Sequence, residues 1–210
     1  TSLGQPNLKR LQQQLFIAID QLPLPAHTEQ RLHDLQRDRA TRSQAFFTSN
    51  AGRFRQQQEQ IAAYELYGRN AAELVTNNTT KGDTVLEVGP GEGAFLSELS
   101  DHFGQVYALD NSQAMLDIAK QQVEKHNLSN VQLLHGDTKT TALTTLHLDC
   151  IVINMVLHHT PSPAEIFSDL GALLKKNVQL FVTDLWFNDQ SRVQDACGDL
   201  WLGFEPEDLS

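Results

Sequence analysis

Apolar residues recur every three or four positions through the first third of the chain, then gather into short β-branched runs through the rest. Leu8, Leu11, Leu15, Ile19 and Leu22 share one stripe, which predicts an amphipathic helix from Asn7 to Leu22, stopped by Pro23 and Pro25. A second helix is predicted from Thr28 to Thr48, a stretch without Gly or Pro that carries Leu32, Leu35, Phe46 and Phe47, after which Asn50 and Gly52 break the pattern. A third helical run, Gln56 to Val75, holds Ile61, Tyr64, Leu66, Tyr67, Ala71 and Leu74. From Lys81 the period changes, with strands predicted at Thr84–Val88, Val106–Leu109, Val131–Leu134, Leu148–Ile153 and Val178–Thr183. Helices are predicted between them at Gly93–His102, Gln113–His126 and Ala164–Leu174, with a shorter one near Thr140–Leu146. Such alternation predicts βαβ units and a parallel sheet: an α/β, three-layer α/β/α sandwich over residues 56–210, behind a helical extension over 1–55.

The candidate chemistry begins at Thr84-Val85-Leu86-Glu87-Val88-Gly89-Pro90-Gly91-Glu92-Gly93, where a strand runs into a glycine-rich turn and then a helix. Glycines there let the chain turn tightly and let a ligand approach the backbone closely. Gly89, Gly91 and Ala94 also fit the dinucleotide fingerprint, and Asp110 sits where that fingerprint wants a ribose-binding acid. Acidity argues against a dinucleotide. Glu87 ahead of the turn and Glu92 within it would repel a pyrophosphate but suit a cation, and Asp137, in His135-Gly136-Asp137, offers a further carboxylate to an adenine amino group.

Taken together, Glu87-Val88-Gly89-x-Gly91-x-Gly93, Ala108-Leu109-Asp110-Asn111-Ser112-x-x-Met115-Leu116-x-x-Ala119, Gly136-Asp137 and Asn154-x-x-x-His158-His159 resemble the successive motifs of class I S-adenosylmethionine-dependent methyltransferases, over about residues 68–205. The resemblance implies a Rossmann-like fold and S-adenosylmethionine as cofactor. It implies that Gly89, Gly91 and Gly93 line the amino-acid end, Asp110 holds the ribose hydroxyls, Met115 packs near the adenine, Asp137 bonds its amino group, and Asn154 closes the loop after the fourth strand. Glu87, Asn111 and Thr138 join the cofactor-binding set expected from this sequence. The N-terminal helices and the stretch from Gly198 to Pro206 look like the methyltransferase half of ArsR-type winged-helix regulator fusions, although no winged helix is recognisable here.

His158 and His159 follow the fourth strand, where an imidazole could take a proton from an acceptor hydroxyl or amine, and they are the candidate catalytic residues. The plainer reading is a loop that places Ser162 as the cap of the next helix. With no Cys, Asp or Glu at a ligand interval, the pair predicts no metal site. Trp186, Trp201 and Phe204 are candidates either for an acceptor pocket wall or for the core. Two cysteines, Cys150 and Cys197, make neither a disulfide framework nor a reactive thiol set, and both read as free thiols.

Charge and composition narrow the setting. The net charge of −10 argues against the whole chain clamping nucleic acid, although the charge is uneven, with eight basic and five acidic groups in residues 1–60. No apolar run is long enough for a bilayer and no secretory signal opens the chain, so no membrane contact and a cytoplasmic setting are expected. The expected function is methyl transfer to a small-molecule acceptor; the alternative is a sensor domain of a transcription regulator that binds the cofactor without turnover. A homodimer through residues 7–22 is expected from the leucine stripe, and the chain is expected to lack two C-terminal strands and an N-terminal DNA-binding unit.

Overall fold

The computed structural model describes residues 15, 22–53, 64–174, 178–189 and 198–209. Most of the leucine stripe, the first half of the third helical run, and Cys197 lie outside these residues. Contacts group the chain into two units, Thr1–Arg37 and Asp38–Ser210. Helix α1 (Ala26–Asn50) runs two residues further at each end than its sequence pattern predicts. It starts after Pro25, whose carbonyl accepts from the Thr28 and Glu29 N–H groups.

In the larger unit the five predicted strands are all present: β1 (Thr84–Val88), β2 (Gln105–Asp110), β3 (Val131–His135), β4 (Cys150–Asn154) and β5 (Gln179–Thr183). All neighbours pair in parallel, in the order β3-β2-β1-β4-β5. Helices α2 (Tyr64–Asn78), α3 (Leu96–His102), α4 (Gln113–Lys125) and α5 (Pro163–Gly171) connect or cover the strands. The short element near Thr140 is a 3-10 turn, Thr141–Thr145.

Central position explains the composition of β1. A parallel strand covered on both faces has no solvent side, so it reads as a nearly unbroken apolar run, and four of its five residues are buried. Val85 faces a cluster with Val106, Ala108, Val152, Leu96, Leu99 and Ala119, which the helices α2, α3 and α4 complete. Leu86 and Val88 face the opposite cluster with Ile151, Ile153, Leu143, Leu157, Leu170 and Phe204. The strand period of two puts Glu87 on the Val85 side, beneath α3. It is the one charged side chain of β1, and it is 2% exposed.

Helix starts follow their capping residues. Ser112 accepts from the Met115 N–H to open α4, and Ser162 accepts from the Glu165 N–H to open α5, with Pro163 in the first turn. The capping role read for Ser162 is therefore observed. Among the described residues, no helix is long and apolar enough to cross a membrane.

Candidate functional site

The sheet places the site. Successive connections run from β1 outward through β2 and β3 on one side and to β4 and β5 on the other, so a crevice opens at the carboxyl ends of β1 and β4, where the strand order reverses. Gly89, Gly91 and Gly93 turn the chain away from β1 with φ of +72°, +57° and +81°, a left-handed path that glycine takes without steric cost. At Gly89 a Cβ would stand 2.6 Å from Val156 Cγ2, so glycine also lets the β1 turn meet the loop after β4. Gly93 also has a packing duty. A Cβ there would meet Leu96 and Ala119 at 3.0 to 3.3 Å, so it closes α3 and α4 onto the sheet.

Three carboxylates converge beneath this turn. Glu87 is buried, its Oε2 has no hydrogen-bond partner, and burial, then the neighbouring Glu98 and Asp110 charges, push its pKa from 4.5 up to about 8. Glu98 accepts from the Tyr64 hydroxyl at 2.7 Å, and burial with this bond moves the Tyr64 pKa upward. Asp110 ends β2 and accepts from the Ser112 N–H at 2.8 Å; burial raises its pKa to about 6 against the lowering effect of the Ser112, Gly91 and Asn111 N–H groups. The acid expected to bind ribose thus also ties the β1 turn to the end of β2. Carboxyls whose ionised forms are penalised by burial and by one another ionise most readily beside a cation, so this cavity edge favours a cationic ligand.

Other expected cofactor residues lie around the rim. Asn111 is exposed, with its carbonyl 3.3 Å from His135 Nε2. Asp137 is exposed and accepts from the Lys139 N–H at 3.0 Å in a local turn. The Thr138 hydroxyl donates to Asp169 at 2.6 Å, which fastens this turn to α5. Met115 is buried and packs with Ala51, Phe46, Phe47 and Ile118, so its side chain belongs to the core in this structure. Asn154 accepts from the Thr183 hydroxyl at 2.5 Å, and Met155 next to it has φ of +58°. A non-glycine residue held there stores strain of about 1–3 kcal/mol at the mouth of the crevice.

After β4 the two histidines are not isolated. His158 Nδ1 donates to Asp184 Oδ1 at 2.6 Å, and Asp184 Oδ2 accepts from the Leu157 N–H at 2.8 Å. Asp199 Oδ1 lies 3.8 Å from His158 Nε2 and 3.2 Å from His159 Nδ1. His158 and Asp184 are almost completely buried, and burial, then the adjacent His158, holds the His159 pKa well below its ordinary value. The sequence reading found no acid at a ligand interval; the fold supplies two from 26 and about 40 positions away. Asp184 was open to the argument that selected Asp110, since both end parallel strands. Asp199 carried no such signal.

The segment after residue 198 clamps this turn through Leu200 N–H and Trp201 N–H to the His158 carbonyl and Trp201 Nε1–H to the Thr160 carbonyl. Phe204 is core, and Trp201 packs partly buried against the same cluster with Arg39 5.1 Å above its ring. A cavity of about 380 Å³ lies beside Asp199, lined by Arg39, Arg42, Ser43, Phe46, Gly198 and Leu200. Ser43 donates to the His159 carbonyl at 3.1 Å, and the Phe47 ring meets the His159 ring edge-on at 5.0 Å. The aromatic residue lining this cavity is Phe46 of α1.

The fold and crevice define a Rossmann-like α/β domain, the kind of open parallel sheet that takes ligands at the carboxyl ends of its strands. Residues 86–182 match the family model of a methyltransferase domain. Among curated proteins, the chain is 30% identical over 107 residues to a ubiquinone biosynthesis O-methyltransferase of Coxiella burnetii, covering 51% of this chain and 45% of that one. It is 29% identical over 101 residues to a demethylmenaquinone methyltransferase of a Geobacillus species, covering 47% and 43%. The chain therefore spans less than half the length of these relatives. Among solved structures, a SAM-dependent methyltransferase of Aquifex aeolicus has the same fold, with a TM-score of 0.56 and 22% identity over 68% of this chain and 86% of that one.

Proposed function

We propose that the protein transfers a methyl group from S-adenosylmethionine to a small-molecule acceptor. The observation that carries this reading is the buried Glu87 carboxyl, its Oε2 without a hydrogen-bond partner, under a left-handed glycine turn with Asp110 beside it. When bound, the cofactor supplies an electrophilic methyl group on a sulfonium. Glu87 and the Gly89–Gly91 backbone would receive the cationic amino-acid end, and Asp110 the ribose hydroxyls. Asn111, Asp137 and Thr138 at the rim would border the adenine, with Met115 supporting that wall from the core. Asn154 and the strained Met155 would hold the mouth of the crevice against Thr183.

His158 and His159 stand at the acceptor end as positioned groups, since their rings are buried against Asp184 and Asp199. The acceptor would enter by the cavity of Arg39, Arg42 and Ser43, which suits a compound carrying an anionic or hydroxyl oxygen. The quinone-pathway names of the curated relatives agree with a small acceptor. Incubation with methyl-labelled S-adenosylmethionine and a metabolite extract should move label into small molecules. Tight cofactor binding with no labelled product would favour the sensor reading instead.

A further inference from the structure

The cluster of His158, His159 and Asp199 has no part in holding the methyl donor, and its geometry serves a purpose of its own. One donor atom from each of the three lies within 4.8 Å of the others, and all three residues are buried. Asp199 Oδ1 is buried and has no hydrogen-bond partner, although it lies 3.2 Å from one imidazole nitrogen and 3.8 Å from the other. Those separations place the nitrogens near it without aligning either to hydrogen-bond with it. We propose that His158 Nε2, His159 Nδ1 and Asp199 Oδ1 form a binding site for one divalent transition-metal ion of the zinc class.

Three features fit. Metal–ligand bonds of about 2.0–2.2 Å in tetrahedral array set ligand atoms roughly 3.3–3.6 Å apart, and the two carboxylate–imidazole separations, 3.2 and 3.8 Å, straddle that range. Two imidazoles and one carboxylate are a borderline donor set, which favours zinc, cobalt or iron over magnesium. The third feature is Asp184. A metal-bound histidine characteristically donates its other ring N–H to a carboxylate, which fixes the tautomer and raises the basicity of the ligating nitrogen, and the 2.6 Å His158–Asp184 bond does this. Charge also balances, since Asp184 and Asp199 together offset a dication between neutral imidazoles. The long 3.4 Å contact from His159 Nδ1 to the Gly198 carbonyl is a weak competitor.

The site makes His158 a ligand instead of the proton acceptor expected from the sequence. Asp199 also lines the cavity, so a water or an acceptor oxygen can complete the coordination from that side, while Arg39 and Arg42 oppose a second cation. Metal binding needs no methyl donor, so it can be tested apart from the proposed activity. The chelator-treated full chain is titrated calorimetrically with Zn²⁺, with Mg²⁺ as the hard-ion comparison, and Co²⁺ is followed by its visible ligand-field absorption. One equivalent of Zn²⁺ should bind, Mg²⁺ should not compete, and Co²⁺ should show a low-symmetry site. Asp199→Asn should weaken zinc at least about 100-fold, and Asp184→Asn by about 10- to 100-fold as expected of an outer partner. Circular dichroism establishes that each variant is folded; His158→Gln replaces any variant that is not. Absence of a one-equivalent zinc isotherm, or equal zinc affinity in folded Asp199→Asn, overturns the proposal.

Discussion

Replacing Glu87 by Gln should disconnect cofactor binding from pH. In the free protein burial pushes the Glu87 carboxyl up to about 8, so at pH 7 about nine in ten molecules carry its proton. A sulfonium and an ammonium brought beside it favour the carboxylate, and binding must therefore expel that proton. Wild-type protein should release close to one proton per cofactor at pH 7, and its affinity should rise roughly tenfold from pH 6 to 7 before levelling above pH 8. Glu87→Gln should release almost none and show a flat profile at the wild type's low-pH affinity. Folding shows the linked effect. The folded-state pKa lies above the ordinary value of 4.5, so this group's contribution to stability is complete below that value and is lost as pH rises through about 8. The variant should accordingly gain stability relative to wild type in alkali. Calorimetry in buffers of different ionisation enthalpy counts the protons. A wild-type count near zero, or an unchanged profile in the variant, would refute the placement of the cationic end over Glu87.

Asp110→Ala should weaken cofactor binding by about 1.5–3 kcal/mol, the worth of a hydrogen bond to a charged group, read by titration calorimetry; an unchanged dissociation constant removes it from the site. Asn130→Ala should cost roughly 2–3 kcal/mol in urea unfolding, because its amide donates to the Ser100 and Phe103 carbonyls and accepts from the Ser100 hydroxyl. Gly89→Val forces a side chain into Val156 at a positive φ, and it should abolish cofactor binding in a protein that remains folded by circular dichroism. Cys150 is buried and its thiol is pushed up to about 12, by burial first and the Asp83 and Asp149 charges second. In a Cys197→Ser background no thiol should react with a disulfide reagent until the protein unfolds.

Where the sequence was readable, local pattern and tertiary role coincided. Runs such as Thr84–Val88 and Cys150–Asn154 are short, apolar and bounded, and both are central strands whose burial demands that composition. Glu87 and Asp110 stood out because a charge at the end of a buried strand has few reasons to be there. The histidine–aspartate cluster was hidden because it is assembled from distant segments. His158 meets Asp184 across β4 and β5, and Asp199 arrives on a loop clamped by backbone bonds to the His158 carbonyl. No spacing rule encodes such a meeting. Gly93 and Met115 sit in recognisable motif positions and also pack helices together, a role their motif spacing does not announce.

In the proposed function, the acid-lined crevice selects a sulfonium nucleoside over a dinucleotide. Its most direct test is equilibrium titration of one preparation with S-adenosylmethionine, its demethylated product and NAD, repeated on Gly89→Val. Saturable one-to-one binding of the first two, none of NAD, and loss of all binding in the variant is the predicted result. NAD binding as tight as S-adenosylmethionine, or binding that survives in Gly89→Val, would contradict it.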